Sequence, residues 1–355
     1  VAASGDTILI GPGRYNEGRV VTTPGWTLFV RVVVRQAELT IIGAGPQQTI
    51  IGQVAPYDWS QGRHRGIEAS PWFGNTDRLT VSGIRFENMD RGIIGAYSVA
   101  NMDVSNCSFS GNYFGVFALA AASLNVRSCQ FDSPGAAGDG RFIYTQSVDL
   151  VRIAQCTFTG TPHASRTQVL IQFDVTLDVE VSDCDFLDGG FGLSATGGTG
   201  SAFRVINSRF VGQSAPGMHV GPGSLASIEG CTFSQQKDAI VVAGSSTDMT
   251  ITNCDILDVS HLAIWVDSAR SLTISNSYLA HGPQYTIQEP FYCSKDVSRK
   301  LPMFDLTNNN WDTTDADSIA AWINMCHYDA TFIPYIGQPV PTVPLSFGSL
   351  KAQFR

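Results

Sequence analysis

Met102-Asp103-Val104-Ser105-Asn106-Cys107-Ser108-Phe109 decides the fold of this chain, because the pattern returns. An alternating apolar and polar run leads to a small polar residue and then to Cys-x-Phe. Further copies end in Cys129-Gln130-Phe131, Cys156-Thr157-Phe158, Cys184-Asp185-Phe186 and Cys231-Thr232-Phe233. Softer copies are Ile84-Arg85-Phe86, Ser208-Arg209-Phe210, Cys254-Asp255-Ile256, Ser277-Tyr278-Leu279 and Asn309-Asn310-Trp311. Successive copies lie 23, 22, 27, 28, 24, 23, 23, 23 and 32 residues apart. A period in the twenties with strand-type alternation marks a solenoid, in which each unit is one coil that buries its apolar face only against its neighbours.

Stacking the copies defines columns. The Phe column (86, 109, 131, 158, 186, 210, 233) is expected inside, ring on ring. Before each Cys stands Gly83, Asn106, Ser128, Gln155, Asp183, Asn207, Gly230, Asn253, Asn276 or Asn308. Gly and Asn tolerate left-handed backbone, so the chain is expected to turn there, with amides able to bond along the axis. Six of the eight cysteines share one column. Rungs about 4.8 Å apart set their Cβ atoms slightly beyond disulfide reach, so they read as buried free thiols. No C-x-x-C pair suggests zinc. Cys293 and Cys326 stand outside the column and are the candidate disulfide.

Composition agrees. Gly is high at 35 residues and charged residues are only 15%, which suits short strands and tight turns. A net charge of -9 argues against nucleic acid or an anionic membrane as partner. No apolar run approaches the roughly 18 residues of a membrane span. The chain opens abruptly on Val1-Ala2-Ala3, like the last turn of a helix, and is expected to continue upstream.

Ser4-Gly5-Asp6-Thr7-Ile8-Leu9-Ile10-Gly11-Pro12-Gly13-Arg14-Tyr15, followed by Leu39-Thr40-Ile41-Ile42-Gly43-Ala44-Gly45, resembles the opening of right-handed parallel β-helix repeat proteins of the pectin-lyase-like fold. The resemblance implies an all-β, single-stranded right-handed parallel β-helix over residues 1–335, with about ten rungs and a short C-terminal capping helix. Residues 53–78 read as a loop insertion, 291–335 as the C-terminal cap and 336–355 as an extended tail. Thr314-Asp315 is expected to cap a helix through Ile319-Ala320-Ala321-Trp322-Ile323. The fold hosts many activities, and no catalytic motif of the pectate lyases or polygalacturonases is found, so the resemblance transfers no catalytic residue.

About thirteen residues before each Cys lies a second strand. Taking Ile94, Val116, Ile143, Ile171, Met218 and Ile264 as inward places Phe117, Tyr144, Gln172, His219 and Trp265 outward along one line. Rings beside amide and imidazole groups suit a sugar chain, so these five are the candidate substrate-binding residues. Asp174, Asp178, Asp183, Asp185 and Asp188 form the densest acidic cluster; it reads as a solvated rim, with a carboxylate pair or a calcium site as alternatives. Arg127, Arg152 and Arg204 alternate with Glu180 and Glu229, which reads as cross-strand charge pairing. The histidines are scattered without metal-ligand spacing, and His261 and His281 read as surface residues. No cofactor is expected. The function that fits best is a secreted or cell-surface protein binding an extracellular polysaccharide without catalysis. A polysaccharide lyase or glycoside hydrolase, and a structural or adhesive element, are the alternatives.

Overall fold

The computed structural model describes residues 2–23, 26–58, 62–97, 99–132, 140–161, 169–196, 200–244, 247–267, 269–280, 285–288, 304–311, 313, 315–324 and 330–331. Cys293, Cys326, His281 and the tail 336–355 lie outside them. The chain winds as a right-handed parallel β-helix with three sheets. Among the described residues, sheet one has 13 strands and contains Val99–Ser105; sheet two has 12 and contains Ser108–Ser110; sheet three has 13 and contains Phe114–Leu119. The ten motif copies supply ten strands of sheet two, and Gly13–Tyr15 and Thr49–Gly52 precede them. Among the described residues, neighbouring rungs pair in parallel apart from the antiparallel hairpin Arg19–Thr23 with Trp26–Val33.

All ten corner residues before the Cys column have positive φ, from 48° at Asn207 to 66° at Gly83. The axial bonds there run mainly through the backbone, as in Asn106 N to Arg127 O at 3.1 Å. The seven phenylalanines of the column are at most 1% exposed, with neighbouring ring centroids 4.5 to 5.1 Å apart and planes within 15°. Cys107, Cys129, Cys156, Cys184, Cys231 and Cys254 are buried and free. They are more than small hydrophobes. Each Sγ lies 3.1 to 3.4 Å from the carbonyl two residues before it. The backbone N–H of Cys231 donates to Cys254 Sγ at 3.4 Å, and that of Cys184 to Ser208 Oγ at 3.2 Å. The column therefore satisfies polar backbone at a buried corner. The bond from Cys129, with burial, pushes the Cys156 thiol up to about 12 and away from thiolate chemistry.

Within 53–78, Arg63–Ala69 is a full strand of sheet three, and Thr76–Ser82 continues sheet one. At the other end the helix Ala316–Trp322 packs against Tyr285–Gln288 and Ile323–Asn324. Its N-cap is Asp315, which accepts from Ser318 N at 3.1 Å. Ile319, fully buried, enters the main core, so the helix covers the last coil.

Candidate functional site

The outer face of sheet three is built by register. Strand alternation sends Val116, Ile143, Ile171, Leu193, Met218, Ile240 and Ile264 inward, and all are 0% exposed. Their followers face out in one row: Phe117, Tyr144, Gln172, Ser194, His219, Val241 and Trp265. The five expected residues thus share a row, with Ser194 and Val241 filling the rungs between. Ile94 does not face inward as expected. It pairs with Phe117, and Ile93 pairs with Val116 and enters the core. Two adjacent isoleucines carry no hydropathy contrast, so only register fixes which one faces in.

In several strands of sheet three two successive residues face the core. Phe142 and Ile143 both enter the core, as do Leu170 and Ile171. Where the first of the two is glycine, the space is taken: a Cβ on Gly115 would meet Phe142 O at 2.6 Å and the Phe131 ring at 2.9 Å. In three of these strands the first residue then lies on the outside. Arg91, Phe114 and Arg141, paired in register, form a second outer row beside the first.

The two rows pack on each other. Ile94, Phe114 and Phe117 make a separate apolar cluster outside the core, flanked by Tyr113, Leu119 and Tyr144. Phe117 faces outward but is only 8% exposed. Arg91 lies 3.7 Å above its ring, Tyr144 stacks at 5.2 Å, and Phe114 meets it edge-on at 5.0 Å. Phe117 is therefore a support beneath the surface. Tyr144 stays partly open, and its hydroxyl donates to Asp174 Oδ2 at 2.9 Å. Burial, then the bond to Asp174 and its charge, push the Tyr144 phenol up to about 12, so it remains a donor at neutral pH.

Asp174 is the hub of this face. It also accepts from Gln172 Nε2 at 3.0 and 3.1 Å and from Thr196 Oγ1 at 2.5 Å. Gln172 Oε1 in turn receives Arg141 Nε. Further along, His219 meets the Phe191 ring edge-on at 6.5 Å. Trp265 is partly open, while its indole Nε1 is buried without a hydrogen-bond partner among the described residues. His261 is not a simple surface residue: its Nδ1 lies 2.6 Å from Oδ1 of the buried Asp238.

A buried charge cluster adjoins the face toward the N-terminus. Arg65 Nη1 donates to both oxygens of Glu68 at 2.6 Å, and Glu68 is 1% exposed. Asp90, also buried, lies 3.9 Å from Arg65 Nε and 3.7 Å from Arg91 Nε, and burial raises its pKa against the pull of these arginines. Burial pushes the Arg91 guanidinium down to about 10, so it is charged at neutral pH.

The acidic cluster does not assemble. Asp174 belongs to sheet three, Asp178 to sheet one and Asp185 to sheet two, where it pairs with Arg209 at 2.9 Å. Asp183 and Asp188 occupy left-handed corners. No group of three His, Cys, Asp or Glu that could hold a metal occurs among the described residues. On sheet one, Arg152, Glu180 and Arg204 stand in register as expected, yet no ion pair joins them among the described residues. They line a cleft of about 590 Å³ with Asp178, Leu225 and Asp248.

Sequence reasoning missed Arg91, Phe114 and Arg141, because two successive core-facing residues break the two-residue alternation there. It named Asp174 only as part of an acidic run. The usable signal was its place two residues after Gln172 on one strand, hence on the same face.

Residues 169–289 match the family model described as right handed beta helix region. No curated protein matches the sequence. Among solved structures, the catalytic domain of a GH87 alpha-1,3-glucanase in complex with nigerose is similar with a TM-score of 0.57 and 11% identity, over 93% of this chain and 64% of that one. A double mutant of the tailspike protein of E. coli bacteriophage HK620 is similar with a TM-score of 0.57 and 12% identity, over 89% and 60%. This chain thus spans less than two thirds of either protein. At such identity the likeness is one of fold. No helix among the described residues is long and apolar enough to cross a membrane.

Proposed function

We propose that the chain binds an extended polysaccharide along the outer face of sheet three, outside the cytoplasm, without transforming it. The observation that carries this reading is the row itself. Tyr144, Gln172, Ser194, His219 and Trp265 stand in register across seven strands, counted from Phe117. A linear ligand lying along the axis meets a ring or a hydrogen-bonding group at nearly every rung, about 4.8 Å apart. Asp174 fixes the Tyr144 ring before any ligand arrives, which lowers the ordering cost of binding. Solved structures with this fold include an alpha-1,3-glucanase domain in complex with nigerose, which supports carbohydrate as the ligand class. The test is a glycan array with wild type and the Tyr144→Ala/Trp265→Ala variant. The variant is expected to lose binding while circular dichroism shows it still folded at the assay temperature, although the lost Phe117 stacking and Asp174 bond lower its melting temperature. Equal binding by both proteins would sink the reading.

A second reading, glycoside hydrolysis, is favoured by the cleft on sheet one. Asp178 and Glu180 face outward from Asp178–Ser182, because the alternating Val179 and Val181 are buried. Residues two apart on a strand lie about 6.5–7 Å apart. Inverting hydrolases hold their carboxyl groups about 6.5–9.5 Å apart, with one protonating the leaving oxygen and the other activating water. A polysaccharide digestion panel read by reducing ends tests this. Release of ends by wild type, abolished in Glu180→Gln, would replace the non-catalytic reading; no release from any polymer would remove the hydrolytic one.

A further inference from the structure

We propose that the polysaccharide held on sheet three is acidic, and that Arg141 receives one of its carboxylate or sulfate groups through the open fork of its guanidinium. The inference rests on the binding reading above and names the ligand's chemical class. Arg141 pairs with Phe114, and Phe114 with Arg91. The two arginines therefore stand two rungs apart, about 10 Å, on either side of Phe114.

Their charge balance differs. Arg91 has Asp90 3.7 Å away and rests on the Phe117 ring. Arg141 makes no ion pair among the described residues. Its Nε donates to Gln172 Oε1, a neutral acceptor. That amide cannot turn round, because its Nε2 is committed to Asp174, and a carboxylate only accepts. Asp174 is itself occupied by the Tyr144 and Thr196 hydroxyls. The carboxylate on this face is thus spent on holding Tyr144 and Gln172. Arg141 is oriented by that chain without being neutralised by it.

The guanidinium stands 5.8 Å from the Tyr144 ring centroid, and its terminal amino groups have no hydrogen-bond partner among the described residues. Pinned at Nε, it offers two parallel N–H donors of the geometry that carboxylate and sulfate groups accept. A neutral sugar packed there would leave a partly buried charge uncompensated, whereas an acidic one compensates it. The net charge of -9 repels polyanions at long range, so the attraction is local to this stretch.

The test is calorimetric titration of the full chain with four polymers: a polyuronate, its carboxyl-reduced counterpart, a sulfated dextran and plain dextran. Wild type is expected to prefer an acidic polymer over its neutral counterpart by about tenfold. The polyuronate and sulfated arms distinguish the two anionic groups. Arg141→Gln should abolish the preference at unchanged melting temperature. Arg141→Lys should keep part of it, since a point charge remains without the fork. Tyr144→Ala should weaken acidic and neutral polymers alike. Equal binding of acidic and neutral polymers by wild type, or a preference surviving Arg141→Gln, overturns the inference and leaves the binding reading intact. Failure of all four polymers to bind overturns both.

Discussion

The Phe column inside sheet two and the row outside sheet three share one rung spacing and one register rule, yet they look unlike. Inside, seven identical rings stack within 15° of parallel and shed all solvent. Outside, Phe117, Tyr144, Gln172, Ser194, His219, Val241 and Trp265 differ at every step. The inner column is packed on all sides, so each rung needs the same volume at the same height. The outer row is open on one side, and volume is no constraint. What holds it in place is a set of directed bonds, with Asp174 tying Tyr144, Gln172 and Thr196 together. Repetition therefore marks the scaffold, and its absence marks the face that is free to carry specificity.

The strongest way to break this contrast is Phe158→Ala. Phe158 lies 4.8 Å from Phe131 and 4.9 Å from Phe186 and is fully buried. The cavity should cost about 3–5 kcal/mol in denaturant unfolding. A loss below about 1 kcal/mol would mean that the column can collapse and is not a rigid wall.

Tyr144→Phe probes the outer row more gently. It removes one hydrogen bond to Asp174, which keeps its bonds from Gln172 and Thr196. The expected cost is about 1 kcal/mol. One phenol of wild type should titrate near 12 by ultraviolet absorbance, and this step should be missing in the variant. If the step persists, Asp174 does not hold Tyr144.

The smallest effect is expected for Asp90→Asn, at the edge of the outer face. Burial raises the Asp90 carboxyl above its ordinary value, against Arg91 and Arg65. A group with a higher pKa in the folded state helps the fold while protonated, and that help is lost as pH rises through the folded value. The variant stays neutral throughout. Its melting temperature relative to wild type should therefore rise with pH from about 4 upward. A flat or falling difference would show that the arginines outweigh burial.

Much of this was legible before any coordinates. The left-handed corners, the buried thiols, the Phe column and the capping helix follow from period, parity and residue type. Parity failed where its assumption fails. Ile93 and Ile94 are indistinguishable by hydropathy, and the register assigns Ile94 to the outside. Phe117 faces outward as expected, but Arg91 covers it from the neighbouring row. No alternation rule could reach Arg91 or Arg141, because two successive residues after each of them, Gly92 and Ile93 or Phe142 and Ile143, face the core.

The linear chain thus settled the coil, its period and the residues that line its inside, because a buried column demands the same chemistry at each turn. Residues far apart in sequence meet on the outer face by packing alone. Tyr144 and Asp174 are thirty positions apart, and Phe117 and Arg91 are twenty-six apart. Which groups pair there, and that Arg141 is left with its fork open, depends on how side chains of adjacent rungs divide a few hydrogen bonds among themselves. That division has no one-dimensional signature, since it is set by directions and distances that exist only once the rungs are stacked.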